Sequence, residues 1–207
     1  MIQLDFDVTL TKNNIGVEIM DYFSVQPSDL EAVHKAYDKH EITLDECVEK
    51  SWKHVPATEK EITHFAMQHA LFRGSFYHFQ TQLALLGEPF IIVSMGHPAY
   101  IKPFLDVPFP SQAVITNHFV KVNGFWKVMV IPNLKRLAAE TFYPSMIAGD
   151  SLSDWAAAVA VHKRGGKVFA PVGSSLSKTP LFDKEAFDTS RAYTYETLEE
   201  LASLMIH

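Results

Sequence analysis

The sequence of 207 residues predicts an α/β fold: a parallel sheet with helices on both faces, interrupted by an inserted helical bundle. Three observations predict it. Phe90-Ile91-Ile92-Val93 and Met146-Ile147-Ala148 are short continuous apolar runs, as expected of strands buried on both faces of a parallel sheet. Helix-patterned segments alternate with such runs in the second half of the chain, as βαβ units require. After the first apolar run, the chain becomes rich in charge and in helix-start signals.

Each element has its own signal. Residues 1–6, with Ile2, Leu4 and Phe6, read as a short buried strand. In the following stretch, Ser28-x-x-Glu31, Thr43-x-x-Glu46 and Thr58-x-x-Glu61 read as capping boxes. Leu30, Val33 and Tyr37 follow the first at helical spacing, and Ile62, Phe65, Ala66 and His69 follow the third. Arg73-Gly74 breaks this pattern. A helix from about Ser75 to Leu86 is stopped by Gly87. Residues 113–131 alternate around Asn123-Gly124, a hairpin signal. Pro132 is expected to open a helix running to about Thr141. After the strand at 146–148, an alanine-rich helix from Asp154 to Arg164 ends at Gly165-Gly166. Lys167–Ala170 is a further strand, and Thr197-x-x-Glu200 caps a last helix. The core is therefore expected at 1–12 and 76–207, with a helical insertion at 13–75.

With 47% hydrophobic and 20% charged residues, the chain can bury a sizeable core. A net charge of −6 argues against a nucleic-acid partner. An anionic substrate must then be attracted locally, by a metal and a few cations. No apolar stretch reaches the roughly 18 residues of a membrane span, and no signal-peptide pattern precedes the first strand. The single cysteine, Cys47, excludes an internal disulfide framework and fits a reducing compartment. A cytoplasmic protein without a membrane partner is expected. Oligomeric state leaves no mark on the sequence.

The chemistry concentrates in two acidic segments. Asp5-Phe6-Asp7-Val8-Thr9 follows the first strand, and Gly149-Asp150-Ser151-Leu152-Ser153-Asp154 follows a later one. Carboxylates crowded at the ends of buried strands repel one another and are tolerated when a cation neutralises them. Hard oxygen ligands suit Mg²⁺. Asp5, Asp7, Ser94, Asp150 and Asp154 all fall at or just after strand ends, the rim where ligands bind in parallel α/β sheets. Taken singly, Asp5 and Asp7 also suit a turn, Ser94 suits a cap or turn, and Gly149-Asp150-Ser151 suits a helix N-cap.

Together these segments resemble the haloacid dehalogenase-like phosphatases. The resemblance rests on Asp5-x-Asp7-x-Thr9, Val93-Ser94-Met95-Gly96 and Gly149-Asp150-Ser151-x-x-Asp154, and covers nearly the whole chain in order and spacing. The insertion lies where phosphoserine phosphatase-like members carry a helical cap. Arg73-Gly74-Ser75-Phe76, Asn117-His118 and the proline-started helix before Gly149 look most like the branch containing 2-hydroxy-3-keto-5-methylthiopentenyl-1-phosphate phosphatase. The resemblance implies a Rossmann-like core and a Mg²⁺-dependent hydrolase of a small phosphorylated metabolite. Asp5 would be the nucleophile, forming an aspartyl-phosphate. Asp7 would be general acid and base, and Ser94 would bond a phosphoryl oxygen. Asp5, the Asp7 carbonyl and Asp150 would hold the metal, with Asp154 supporting them. Phe6, Thr9, Met95, Gly96 and Arg73 would contact the phosphate, although Arg73 also suits the surface. His97 is a possible substrate contact. His34, His40, His54, His64, His69 and His78 share no metal-ligand spacing and are expected on the surface or in packing.

The chain departs from the family at two places. Val8 stands where the family has glycine, so a differently shaped phosphate loop is expected. Ile131 stands where the nearest branch has its phosphate-binding lysine. Lys135, one helical turn on, is the preferred substitute, and Lys127 the other. Asn13-Asn14 replaces the glutamate that holds the substrate amine in phosphoserine phosphatases, which disfavours phosphoserine. Asp7 disfavours dehalogenation. A degenerate member that binds Mg²⁺ or a phosphometabolite with little turnover is the rival reading. A phosphotransferase is a third.

Overall fold

The computed structural model describes residues 1–105, 113–183 and 189–206. Six parallel strands form the central sheet in the order β3-β2-β1-β6-β7-β8. They are β1 (Ile2–Leu4), β2 (Phe90–Val93), β3 (Ala113–Ile115), β6 (Met146–Ala148), β7 (Lys167–Pro171) and β8 (Ala192–Tyr195). β1 lies between β2, where Ile2 faces Phe90, and β6, where Ile2 faces Met146. The chain moves from β1 outward to β2 and β3, then returns to β6 on the other side. This reversal places a crevice between the ends of β1 and β6, where open α/β sheets bind ligands. The expected α/β class and parallel sheet are found.

Four helices lie between β1 and the segment that returns to the core at residues 71–73: α1 (Ile15–Phe23), α2 (Pro27–Asp38), α3 (Leu44–Trp52) and α4 (Glu59–His69). Thr43 and Thr58 form reciprocal capping boxes with Glu46 and Glu61, as read from the sequence. Ser28 does not. α2 starts two residues earlier, with Pro27 in its first turn and Gln26 as N-cap. Proline fixes φ and has no N–H to satisfy, so it sets that start without a side-chain cap. The chain leaving the core pairs with the chain returning to it. Thr11 bridges Phe72, Lys12 N–H donates to Leu71 at 2.6 Å, and Arg73 N–H donates to Leu10 at 3.0 Å.

The region 113–131 divides in two. Residues 113–115 join the main sheet beside β2, and the hairpin comprises β4 (His118–Val122) and β5 (Phe125–Met129). Asn123 and Gly124 take φ of +51° and +86°, as a two-residue hairpin turn requires. Alternation could not mark this division, because a sheet edge and a half-buried hairpin share a period of two. Trp126 and Val128 bury the hairpin's inner face, and the Trp126 indole donates to Ala57 at 2.9 Å.

The remaining helices are α5 (Phe76–Leu85), α6 (Pro98–Ile101), α7 (Leu134–Phe142), α8 (Leu152–Lys163) and α9 (Leu198–Ile206). α7 begins after Asn133, whose φ of +55° is left-handed, so Pro132 belongs to the preceding turn and not to the helix. β8 had no sequence signal beyond a short mixed run. Among the described residues no helix is long and apolar enough to cross a membrane.

Candidate active site

Three adjacent strands deliver the site. Asp5 follows β1, Ser94 follows β2 and Asp150 follows β6, so all three emerge on one rim of the sheet. Asp154 joins them from the first turn of α8, where Ser151 is the N-cap. Carboxylate oxygens of Asp5, Asp150 and Asp154 lie within 4.8 Å of one another. The Thr9 hydroxyl donates to Asp150 Oδ1 at 3.3 Å.

Lys135 neutralises part of this charge. Its Nζ lies 2.9 Å from Asp5 Oδ2 and 2.9 Å from Asp154 Oδ1, and it donates to Ser153 Oγ at 3.0 Å. Only 5% of Lys135 is exposed. It reaches inward because it lies in the first turn of α7, and the left-handed Asn133 turns that helix into the sheet rim. Lys127 lies on the exposed edge of β5 and does not line the cavity. Ile131 contributes a backbone N–H to Asn117 at 3.0 Å. Asn117 in turn donates to the Met95 carbonyl at 3.4 Å, which ties the hairpin's return to the loop after β2.

The electrostatics follow from burial. Burial pushes Asp5 up to about 6 despite Lys135, with Asp150 adding repulsion. Burial raises Asp150 to about 6, and Asp154 adds repulsion. Burial likewise lifts Asp7 to about 7. Burial opposes the charge on Lys135, but the Asp154 and Asp5 carboxylates outweigh it and hold the ammonium above the ordinary lysine range.

The donor set is all oxygen, the chemistry that a hard divalent cation prefers. Asp154 is already committed: Oδ1 faces Lys135, and Oδ2 accepts from the Ser151 N–H at 3.3 Å and hydroxyl at 3.1 Å. Among the described residues Asp5 Oδ1 and Asp150 Oδ2 carry no such ion pair, and they can hold a cation between the two strands.

Asp7 stands at the edge of the crevice. Its Oδ1 accepts from the Ile15 N–H at 2.7 Å and the Gly16 N–H at 3.4 Å, the first turn of α1. Its Oδ2 accepts from the Tyr100 hydroxyl at 2.5 Å. Sequence reasoning missed Tyr100. The signal for it was an aromatic residue with a polar tip shortly after the Ser94 motif, which is otherwise read as core.

A cavity of about 420 Å³ lies over the rim. Asp5, Asp7, Ser94, Met95, Gly96 and Lys135 line its floor. The walls come from one face of each of three helices: Val17 and Met20 of α1; His34, Tyr37 and Asp38 of α2; Leu44, Val48 and Trp52 of α3. His34 thus faces the cavity, unlike the surface or packing place expected for it. The other expected phosphate contacts are not cavity residues. The Phe6 ring packs in the core against Phe72, Tyr100 and Phe104, and Thr9 is fully buried against Asp150. The Arg73 guanidinium donates to the Val8 carbonyl from Nε at 3.1 Å and Nη2 at 2.8 Å. His97 is also outside the cavity. It is fully buried against Trp52, Phe119 and Trp126.

No family model matches the sequence. The chain is 31% identical over 119 residues to the 2-hydroxy-3-keto-5-methylthiopentenyl-1-phosphate phosphatase of Bacillus velezensis, covering 57% of this chain and 50% of that protein. The chain thus spans about half the length of the curated relatives it matches. Among solved structures, cytosolic 5'-nucleotidase IIIB bound to cytidine superposes with a TM-score of 0.70 at 19% identity, covering 100% of this chain and 84% of that one. A phospho-aspartyl intermediate analogue of phosphoserine phosphatase superposes with a TM-score of 0.67 at 16% identity, covering 98% and 96%. The fold is that of these phosphatases, and the resemblance read from the sequence is borne out.

Proposed function

We propose that this protein is a phosphomonoester hydrolase that works through an aspartyl-phosphate on Asp5. The observation that carries this reading is Lys135 Nζ, 2.9 Å from both Asp5 and Asp154. A degenerate binding protein would leave the pocket anionic. Here the cation absent at position 131 is supplied from one turn further on.

The chemistry proceeds from these positions. Asp5 attacks phosphorus as the bond to the leaving oxygen breaks, and the proton of Asp7 passes to that oxygen. Asp7, now a carboxylate, takes a proton from water as the water attacks phosphorus, and the Asp5–phosphorus bond breaks to release phosphate. Ser94 and the Gly96 loop hold the phosphoryl oxygens. Lys135 offsets the charge of Asp5 and of the entering phosphate. Asp5, the Asp7 carbonyl and Asp150 would hold Mg²⁺, which would supply further charge neutralisation in the transition state. Asp154 acts on this set by holding Lys135. The helices of residues 13–75 serve as the cap, with the paired segments around Thr11 and Phe72 as its hinge, and their closure excludes water. The lone Cys47 fits a cytoplasmic setting.

The substrate is a small phosphorylated metabolite whose leaving group is largely apolar, given Val17, Met20, Leu44, Val48 and Trp52 around the cavity. The substrate named for the Bacillus relatives is the first to test. A phosphate-release screen with Mg²⁺ decides the matter. The expected result is release from at least one phosphomonoester, abolished by chelator and by Asp5→Asn. Release from none, or full activity in Asp5→Asn, overturns the reading. Phosphate appearing on an added alcohol instead of in water would make the protein a phosphotransferase.

A further inference from the structure

We propose that Tyr100 is a positioning residue that, together with the first turn of α1, aims the one free lone pair of Asp7 at the leaving-group oxygen. This rests on the hydrolase reading and on the assignment of Asp7 as its acid. An ionised carboxylate offers about four acceptor directions. On Asp7, the Ile15 and Gly16 N–H groups take two on Oδ1, and the Tyr100 hydroxyl takes one on Oδ2. One direction on Oδ2 remains for the proton to be transferred. Two oxygens that rotate freely would share that proton among several directions. Here three donors on two separate elements fix it.

The surroundings show that space is reserved for the hydroxyl. Tyr100 is fully buried. A Cβ added at Gly96 would fall 1.6 Å from the Tyr100 hydroxyl oxygen, and one added at Gly16 would fall 2.9 Å from it. One glycine is in the loop after β2 and the other is in α1. Both sides of the crevice therefore leave room for this one oxygen. A phenol kept only for packing needs neither glycine bare, nor a carboxylate 2.5 Å away.

A series of 4-substituted phenyl phosphates, from nitro to methoxy, plus butyl phosphate tests this. Nitrophenolate leaves without a proton, whereas butoxide needs one. Tyr100→Phe, checked for unchanged melting, is expected to lower kcat on butyl phosphate about 10–100-fold, part of the 10²–10⁴ that a general acid supplies. It should change nitrophenyl phosphate turnover less than about threefold and leave KM nearly unchanged. 3-Fluorotyrosine at position 100 keeps the hydroxyl and should restore the alkyl substrate. Equal losses across the series, or a change confined to KM, overturn the role of Tyr100 while leaving the hydrolase reading intact. Wild type inactive on every phosphate overturns both. If Tyr100→Phe does not fold, Tyr100→Leu, which also removes the hydroxyl, decides on the same series: a loss that grows from nitrophenyl to butyl phosphate supports the role, and an ungraded loss or none overturns it.

Discussion

Arg73 grips the carbonyl of Val8 with two hydrogen bonds, 3.1 Å from Nε and 2.8 Å from Nη2. Val8 has φ of +59°, the left-handed conformation that glycine adopts freely and a β-branched residue resists. The loop has therefore kept the backbone that a glycine would give. Thr11 Oγ1, accepting from the Val8 N–H at 3.1 Å, and Arg73 together hold it there.

The first prediction follows from that strain. Val8→Gly relieves a conformation that costs about 1–3 kcal/mol while adding about 1 kcal/mol of unfolded-chain entropy. Thermal melting should therefore show an unchanged or slightly raised Tm and undiminished activity. Arg73→Ala should lower stability by about 1–3 kcal/mol, as a lost charged hydrogen bond does, and reduce phosphate release. In the double variant the loss from Arg73→Ala should shrink, because glycine no longer needs the clamp. An additive double variant would show that the two residues act separately.

Lys135→Met should be severe in both stability and activity. It leaves Asp5 and Asp154 without their buried cation, a change that costs about 3–5 kcal/mol. Chemical denaturation at pH 7.5 measures it, and the loss should be smaller at pH 5.5, where Asp5 can take a proton instead. Lys135→Arg should not restore turnover, since a planar guanidinium cannot replace a compact ammonium between two carboxylates.

Metal-free protein should lose stability as pH rises from about 4 to about 7. In the folded state burial pushes Asp5, Asp7 and Asp150 up to about 6, 7 and 6, above the ordinary aspartate value of 3.8. In that window the folded state binds more protons than the unfolded one, so raising pH favours unfolding. Mg²⁺ should reverse the trend by stabilising the ionised carboxylates. Melting curves across pH with and without Mg²⁺ check it, and a flat metal-free profile would contradict it.

His97 should oppose that trend. Its Nδ1 accepts from the Ala99 N–H at 3.1 Å, and its buried Nε2 has no partner among the described residues. Burial pulls its pKa to about 4. The unfolded imidazole, near 6.5, gains a proton first on acidification, so His97 costs stability as pH falls from about 6.5 towards 4. His97→Phe should lessen the acid-side loss, by up to about 3 kcal/mol at pH 4, relative to its own value at pH 7.5. Parallel pH profiles for the two proteins would contradict this.

The sequence by itself determined the layered α/β plan and the positions of the two acidic segments. Buried strands and capping boxes are local patterns: Phe90–Val93, Thr43/Glu46 and Thr58/Glu61 carry their own signals. It also singled out Asp5, Ser94, Asp150 and Asp154, because strand ends in a parallel sheet share one rim. Three things were decided only by the tertiary structure. Lys135, not Lys127, reaches Asp5, because the left-handed Asn133 sets where α7 begins. Arg73 serves the loop backbone and not the cavity, because the chain returning from the helical insertion passes beside Val8. Tyr100 meets Asp7 across a sequence separation of 93 residues. Each of these depends on where separate elements lie relative to one another, and no local pattern of apolar and polar residues encodes that distance.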